Sequence, residues 1–128
     1  MKNLAQNLER IPNIQEVLVN AIKVSDEGIM ITDREGEILY VNEGFERITG
    51  YTAKDVLGKN PNILKSGKQT EEYYQQLWKT ILNGDVFRCQ PINKSKSGEL
   101  FVSDQTISPV KNEKGEVTHF VSFFRDIT

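Results

Sequence analysis

This chain of 128 residues has one cysteine, one histidine, one tryptophan and four prolines. A single cysteine cannot close an internal disulfide, so nothing points to the small secreted domains that depend on such bridges. A zinc site gathers three or four Cys, His or carboxylate ligands at short spacing, whereas Cys89 and His119 stand thirty residues apart. No metal site is expected. No apolar run approaches the ~20 residues that cross a bilayer. The N-terminal segment also lacks the basic, apolar and small-residue order of a secretory leader. Neither sign of charge is in excess, since 16 basic side chains meet 18 acidic ones for a net charge of −2. A reader of nucleic-acid phosphates would show a basic face, so that class of partner is set aside. The expected location is the cytoplasm, with no membrane span in this segment.

Catalytic signatures are equally sparse. There is no Gly-x-Ser-x-Gly elbow to present a serine nucleophile, and no Gly-x-x-x-x-Gly-Lys-Ser/Thr loop to cradle a phosphate. Glu37, Glu99 and Glu116 all follow a turn glycine, where a carboxylate is ordinarily solvated. The segment reads as a non-enzyme.

The remaining composition is that of a globular protein, 38% hydrophobic and 27% charged. Its length suits one domain of ~100–150 residues. In residues 1–24, Leu4, Leu8, Ile11, Leu18 and Ile22 recur at helical steps, and Pro12 breaks the register. Two helices meeting near Arg10–Asn13 are expected. Their apolar stripe serves either its own domain or a homodimer seam.

After Ser25 the period shortens. Gly28–Thr32 and Ile38–Val41 are β-branched runs around Asp33-Arg34-Glu35-Gly36, the composition of a hairpin turn. Similar turns at Lys96–Glu99 and Glu113–Glu116 link three further strands, over roughly 86–94, 99–110 and 117–127. Between these groups the pattern is helical. Asn42 is placed to cap a helix to Thr49, Thr52 a turn through Val56, and Thr70 a helix to Asn83; Pro61 suits a first turn. In the last helix Tyr74, Leu77, Trp78, Ile81 and Leu82 share one face. Strands, then small helices, then strands give an α+β class with helices covering one face of an antiparallel sheet.

The residues carrying this order resemble the PAS family of sensor domains. They are Gly28–Asp33, Tyr40-Val41-Asn42 with Phe45, Ile48–Tyr51, Leu57–Pro61, Trp78, Asn93–Gly98, Gln105–Val110 and Asp126-Ile127-Thr128. The resemblance implies a five-stranded sheet that encloses a small cavity with its helices, over residues 23–128 behind a helical extension at 1–22. It implies a sensory or relay module of a signalling protein, such as a two-component sensor histidine kinase. Such a module binds a small ligand and hands its movement through Asp126, Ile127 and Thr128 to a C-terminal effector domain. The extension at Leu4, Leu8, Ile11, Leu18 and Ile22 resembles the helix through which such domains dimerise.

Three cofactor branches give different expectations. The blue-light flavin branch carries Gly-x-Asn-Cys-Arg-x-Leu-Gln, where this chain has Gly58-Lys59-Asn60-Pro61-Asn62-Ile63-Leu64-Lys65. Pro61 stands in place of the cysteine, and Ser103 and Phe124 replace two flavin-facing amides, so a covalent flavin adduct is disfavoured. Haem is disfavoured because residues 58–84 contain no histidine. The third branch, the FAD-holding redox sensors of nitrogen-fixation regulators, is similar in Gly58-Lys59-Asn60, Ile63-Leu64, Gly67, Leu77-Trp78 and Asn93, with Phe87 in place of a tryptophan. FAD is the leading cofactor, and a ligand-free dimerisation module is the alternative. In the ligand-bound case Asn60 and Asn93 are expected as polar contacts and Phe87 and Trp78 as aromatic walls. Ile31, Phe45, Ile48, Leu57, Ile63, Leu64 and Ile81 are the expected apolar lining.

Overall fold

The computed structural model describes residues 4–128, with side chains from Asn7 onward. The start of the expected extension and the side chain of Leu4 lie outside the described residues. Two helices open the chain, α1 (Leu4–Glu9) and α2 (Ile14–Val24). They part where expected, and Asn13 takes the left-handed conformation that asparagine tolerates better than most residues (φ 55°). The boundary set after residue 22 falls inside α2.

Hairpin β1 (Gly28–Asp33) and β2 (Ile38–Val41) follows. Asp33 Oδ1 accepts from the Glu35 and Glu37 amides, and Gly36 supplies the positive φ of 92°. Asn112 repeats the device later, accepting from Lys114 and Glu116 ahead of Gly115 at 80°.

The helical segment holds α3 (Glu43–Thr49), α4 (Ala53–Val56), a short 3-10 helix (Pro61–Leu64) and α5 (Glu71–Leu82). Each has a side-chain cap at its start: Asn42 bonds the Phe45 amide, Thr52 that of Asp55, Asn60 that of Asn62 and Thr70 that of Tyr73. In α5 Ile81 is buried and Leu77 and Trp78 are half-buried, but Leu82, expected on the same face, is 41% exposed.

The last part is a meander of β3 (Phe87–Cys89), β4 (Ile92–Lys94), β5 (Leu100–Lys111) and β6 (Val117–Asp126). The strand expected over 86–94 is broken at Gln90-Pro91. Proline has no amide to give to a ladder, so β3 and β4 pair separately with β5, at Gln105–Ile107 and Leu100–Val102. The sheet is antiparallel, in the order β2-β1-β6-β5-β3 with β4 also on β5. The fold is α+β as expected, with a sixth strand segment where five were counted.

Two apolar clusters lie on the covered face. One joins Met30, Ile38, Phe45, Val56 and Phe124 under α3 and α4. The other joins Ile81, Val117, Ile107 and Phe120 under α5. Phe45 is fully buried and meets Phe124 edge to face at 5.8 Å, so truncating it would cost ~3–5 kcal/mol.

Asp55 links α4 to the β4–β5 turn. Its carboxylate accepts from the Thr52 amide and, at 3.0 Å, from Lys96 Nζ. These contacts, the backbone bond first, lower its pKa from 3.8 to about 2. A value lowered by folding means that the contribution to stability is present above 3.8 and is lost as pH falls through about 2. Asp55→Asn is therefore expected to lower the urea midpoint near neutral pH, with the gap to wild type closing as pH approaches 2. A gap independent of pH would contradict this.

Candidate functional site

Where the two clusters fail to meet, a cavity opens between α5 and the sheet. Its volume is about 120 Å³, below the ~300–1,000 Å³ of sites that enclose a drug-sized ligand.

Tyr73, Tyr74, Leu77, Trp78 and Ile81 form the roof, at the three- and four-residue steps of one helical face. The floor is the inner face of the sheet: Met30 and Thr32 from β1, Gln105 and Ile107 from β5, and Phe120, Ser122 and Phe124 from β6. Successive strand side chains point to opposite faces, so a floor that takes Met30 and Thr32 leaves out Ile31. The exposed lining residues are Asn60, Asn62 and Lys65, which places the mouth beside the 3-10 helix.

Of the expected wall residues, the cavity gathers Asn60, Asn93, Trp78, Leu64 and Ile81. The others stand elsewhere. Ile31 lies on the opposite strand face, and Leu57 is 48% exposed. Phe45, Ile48 and Ile63 fill the first cluster beside the cavity rather than lining it. Phe87 packs against the second cluster and meets Tyr73 edge to face at 5.8 Å. Gln105, Ser122 and Thr32, which the sequence reading did not assign to the site, supply polar groups on the floor. Strand alternation applied from the cavity face outward was the available clue.

Asn93 and Gln105 are half-buried, and neither carboxamide finds a hydrogen-bond partner among the described residues. Both can therefore read donors and acceptors on a ligand edge. Behind Gln105 on the same strand face, Ser103 is fully buried, and its hydroxyl is the one buried side-chain polar atom without a partner among the described residues. Burial pushes the Tyr73 hydroxyl well above its ordinary pKa, and the neighbouring Cys89 adds to the effect. The Cys89 thiol is also pushed up, chiefly by burial. It lies 3.9 Å from the Gln105 carbonyl, outside the cavity lining. His119 pairs with Thr118 on the face turned away from the cavity.

A strap closes one side. Gln69 Oε1 accepts from the Ile92 amide at 2.7 Å, and Gln69 Nε2 donates to the Ile92 carbonyl at 2.9 Å. Ser66 bonds the same carbonyl, and Lys65 bridges to Asn93. At the far end of β6 the Ile127 amide donates to the Val102 carbonyl, and Thr128 Oγ1 accepts from the Val102 amide. Asp126 Oδ1 in turn accepts from the Thr128 amide. The closing Asp-Ile-Thr is thus fastened to β5, the strand that carries Gln105.

The profile of the PAS domain family matches residues 26–128. A nitrogen fixation regulatory protein of Klebsiella oxytoca is 36% identical over 107 residues, covering 84% of this chain and 22% of that protein. A blue-light-activated histidine kinase of Brucella anthropi is 34% identical over 112 residues, covering 84% and 23%. The chain thus spans less than a quarter of either relative. Among solved structures, an RNA-binding light-oxygen-voltage receptor superposes with a TM-score of 0.86 at 30% identity, covering 93% of this chain and 34% of that one. A PAS domain from Colwellia psychrerythraea gives 0.84 at 22% identity over 91% and 98%, a likeness of fold.

Proposed function

The chain belongs to the PAS domain family, and we propose that it senses by holding a flavin, FAD first among them, in the cavity beneath α5. The observation that carries this reading is the pair of unpartnered carboxamides, Asn93 and Gln105, in a cavity roofed by Trp78 whose floor sets Thr32 and Ser122 among apolar side chains. A flavin has this complementary form, a flat apolar ring with one hydrogen-bonding edge. When bound, it supplies a ring whose charge and hydrogen bonding change on reduction. A relative named as a blue-light-activated histidine kinase favours a light-absorbing ligand. With Pro61 at the cavity mouth and Cys89 outside the lining, the binding proposed here is non-covalent.

The chain's own part is to hold and report. Trp78 covers the ring face, and Asn93 and Gln105 read the edge. A changed demand on Gln105 acts on β5, which bonds Thr128 through Val102. The ligand state would favour one of two pre-existing packings and pass that bias through Asp126-Ile127-Thr128. Any kinase or other catalytic work would belong to an output domain elsewhere in the protein. No helix among the described residues is long and apolar enough to cross a membrane, which suits a module working in the cytoplasm.

Protein purified from cells, or mixed with FAD and desalted, is expected to show the visible bands of an oxidised flavin, released on denaturation. Protein that stays colourless after both treatments would remove the flavin, and a strong Soret band would replace it with haem.

The reading as a dimerisation module rests on α2, which buries none of its residues and leaves Val17, Leu18 and Val19 42–60% exposed. Leu8 and Ile22 are half-buried beside the exposed Ile11. A homodimer joined through this stripe is expected to become monomeric in light scattering on Leu18→Glu. A monomeric wild type, or an unchanged dimer in the variant, would contradict it.

A further inference from the structure

At the mouth of the cavity the lining is polar and carries a charge. Among the described residues lining the cavity, Lys65 alone carries a formal charge. It is held in place: its amide donates to the Asn62 carbonyl at 3.0 Å, its backbone bridges to Asn93, and its Nζ lies over the Tyr74 ring at 4.0 Å. No ion pair to Lys65 is found among the described residues, and no carboxylate shares the lining. Asn60 and Asn62 stand beside it with carboxamide donors, and the Asn60 Oδ1 is already engaged by the Asn62 amide. A cation without a carboxylate, flanked by amide donors at the open end of the cavity, is built to receive an anion.

We propose that Lys65 is the specificity-determining residue for an anionic group on the ligand, a phosphate or a carboxylate carried by an aromatic body that lies inward against Trp78. This rests on the reading of the cavity as a ligand site and adds the charge of the ligand to it. The anion would sit in the mouth, where partial exposure to water leaves the pair a moderate selectivity of about tenfold.

Two dyes of nearly the same shape separate charge from fit: 1-anilinonaphthalene-8-sulfonate and the neutral N-phenyl-1-naphthylamine. Trp78 is the chain's one tryptophan and lines the cavity, so quenching of its emission reports binding at this site. In the whole chain the sulfonate is expected to bind about tenfold more weakly to Lys65→Met than to wild type, with the neutral dye unchanged and Lys65→Arg restoring the sulfonate. Added salt should weaken the sulfonate alone. Equal sulfonate binding in wild type and Lys65→Met, an equal loss for both dyes, or no binding of either dye to wild type would each overturn the assignment. Flavin mononucleotide and riboflavin serve as competitors. If neither displaces the dyes, the flavin reading fails while the anion site stands; if both displace the sulfonate equally well, the anion site fails while the flavin reading stands.

Discussion

A single carboxamide holds the framework together. Asn42 is 2% exposed, and its Oδ1 accepts from the Ile29 amide at 2.8 Å and the Phe45 amide at 2.9 Å. Its Nδ2 donates to the carbonyls of Ile22 at 2.8 Å and Glu27 at 3.0 Å. Two donors and two lone pairs are all an asparagine side chain offers, and here every one is used. The residue therefore joins the end of α2, the start of β1 and the first turn of α3. Gly44 permits the approach, because a Cβ there would collide with the Glu27 carbonyl. Replacing Asn42 by an apolar residue would leave several backbone groups at this junction without partners, at ~1–3 kcal/mol for each one buried.

With that junction fixed, the rest of the core has limited choices. Phe45 is set on the sheet beside Phe124, which fills the first cluster. At Gly28 the Phe124 ring lies so close that no Cβ could be added. The second cluster forms around Ile81 and Phe120, with Trp78 meeting Phe120 edge to face at 6.0 Å. The cavity is the space left between two well-filled cores, so apolar side chains of both reach its floor beside Thr32, Gln105 and Ser122, while its mouth is polar. The cavity floor and the helical extension are thus attached to the same strands, with β1 bonded to Asn42 on one side and β6 carrying Ser122 on the other.

Local chemistry made much of the fold legible in the sequence. The caps at Asn42, Thr52 and Thr70, the turn residues at Asp33 and Gly36, and the helical steps of α5 all act within a few residues of where they are read. The cavity is a long-range product and was harder to see. Ile31 was expected on its wall because it is β-branched and central in β1, but its neighbours Met30 and Thr32 have the inward parity. Phe45 and Phe87 are expected on the cavity wall because they are aromatic, yet both pack into the clusters beside it, and which side of a cluster faces the cavity depends on elements far apart in the chain. Gln105 and Ser122 were passed over because a polar residue in a strand ordinarily faces water, and only the paired strands show them facing inward. The strand expected over 86–94 runs unbroken in the sequence reading; the missing donor at Pro91 becomes a break only because β5 lies alongside.

Native-state amide exchange tests the Asn42 junction most directly. The Ile29 and Phe45 amides, both held by Asn42 Oδ1, are predicted to exchange together in the slowest class, through global unfolding. The Lys114 amide, bonded to Asn112 Oδ1 in an exposed turn, provides a fast reference. Exchange of Ile29 and Phe45 at rates near that of Lys114 would contradict the account, because the junction would then open without the core.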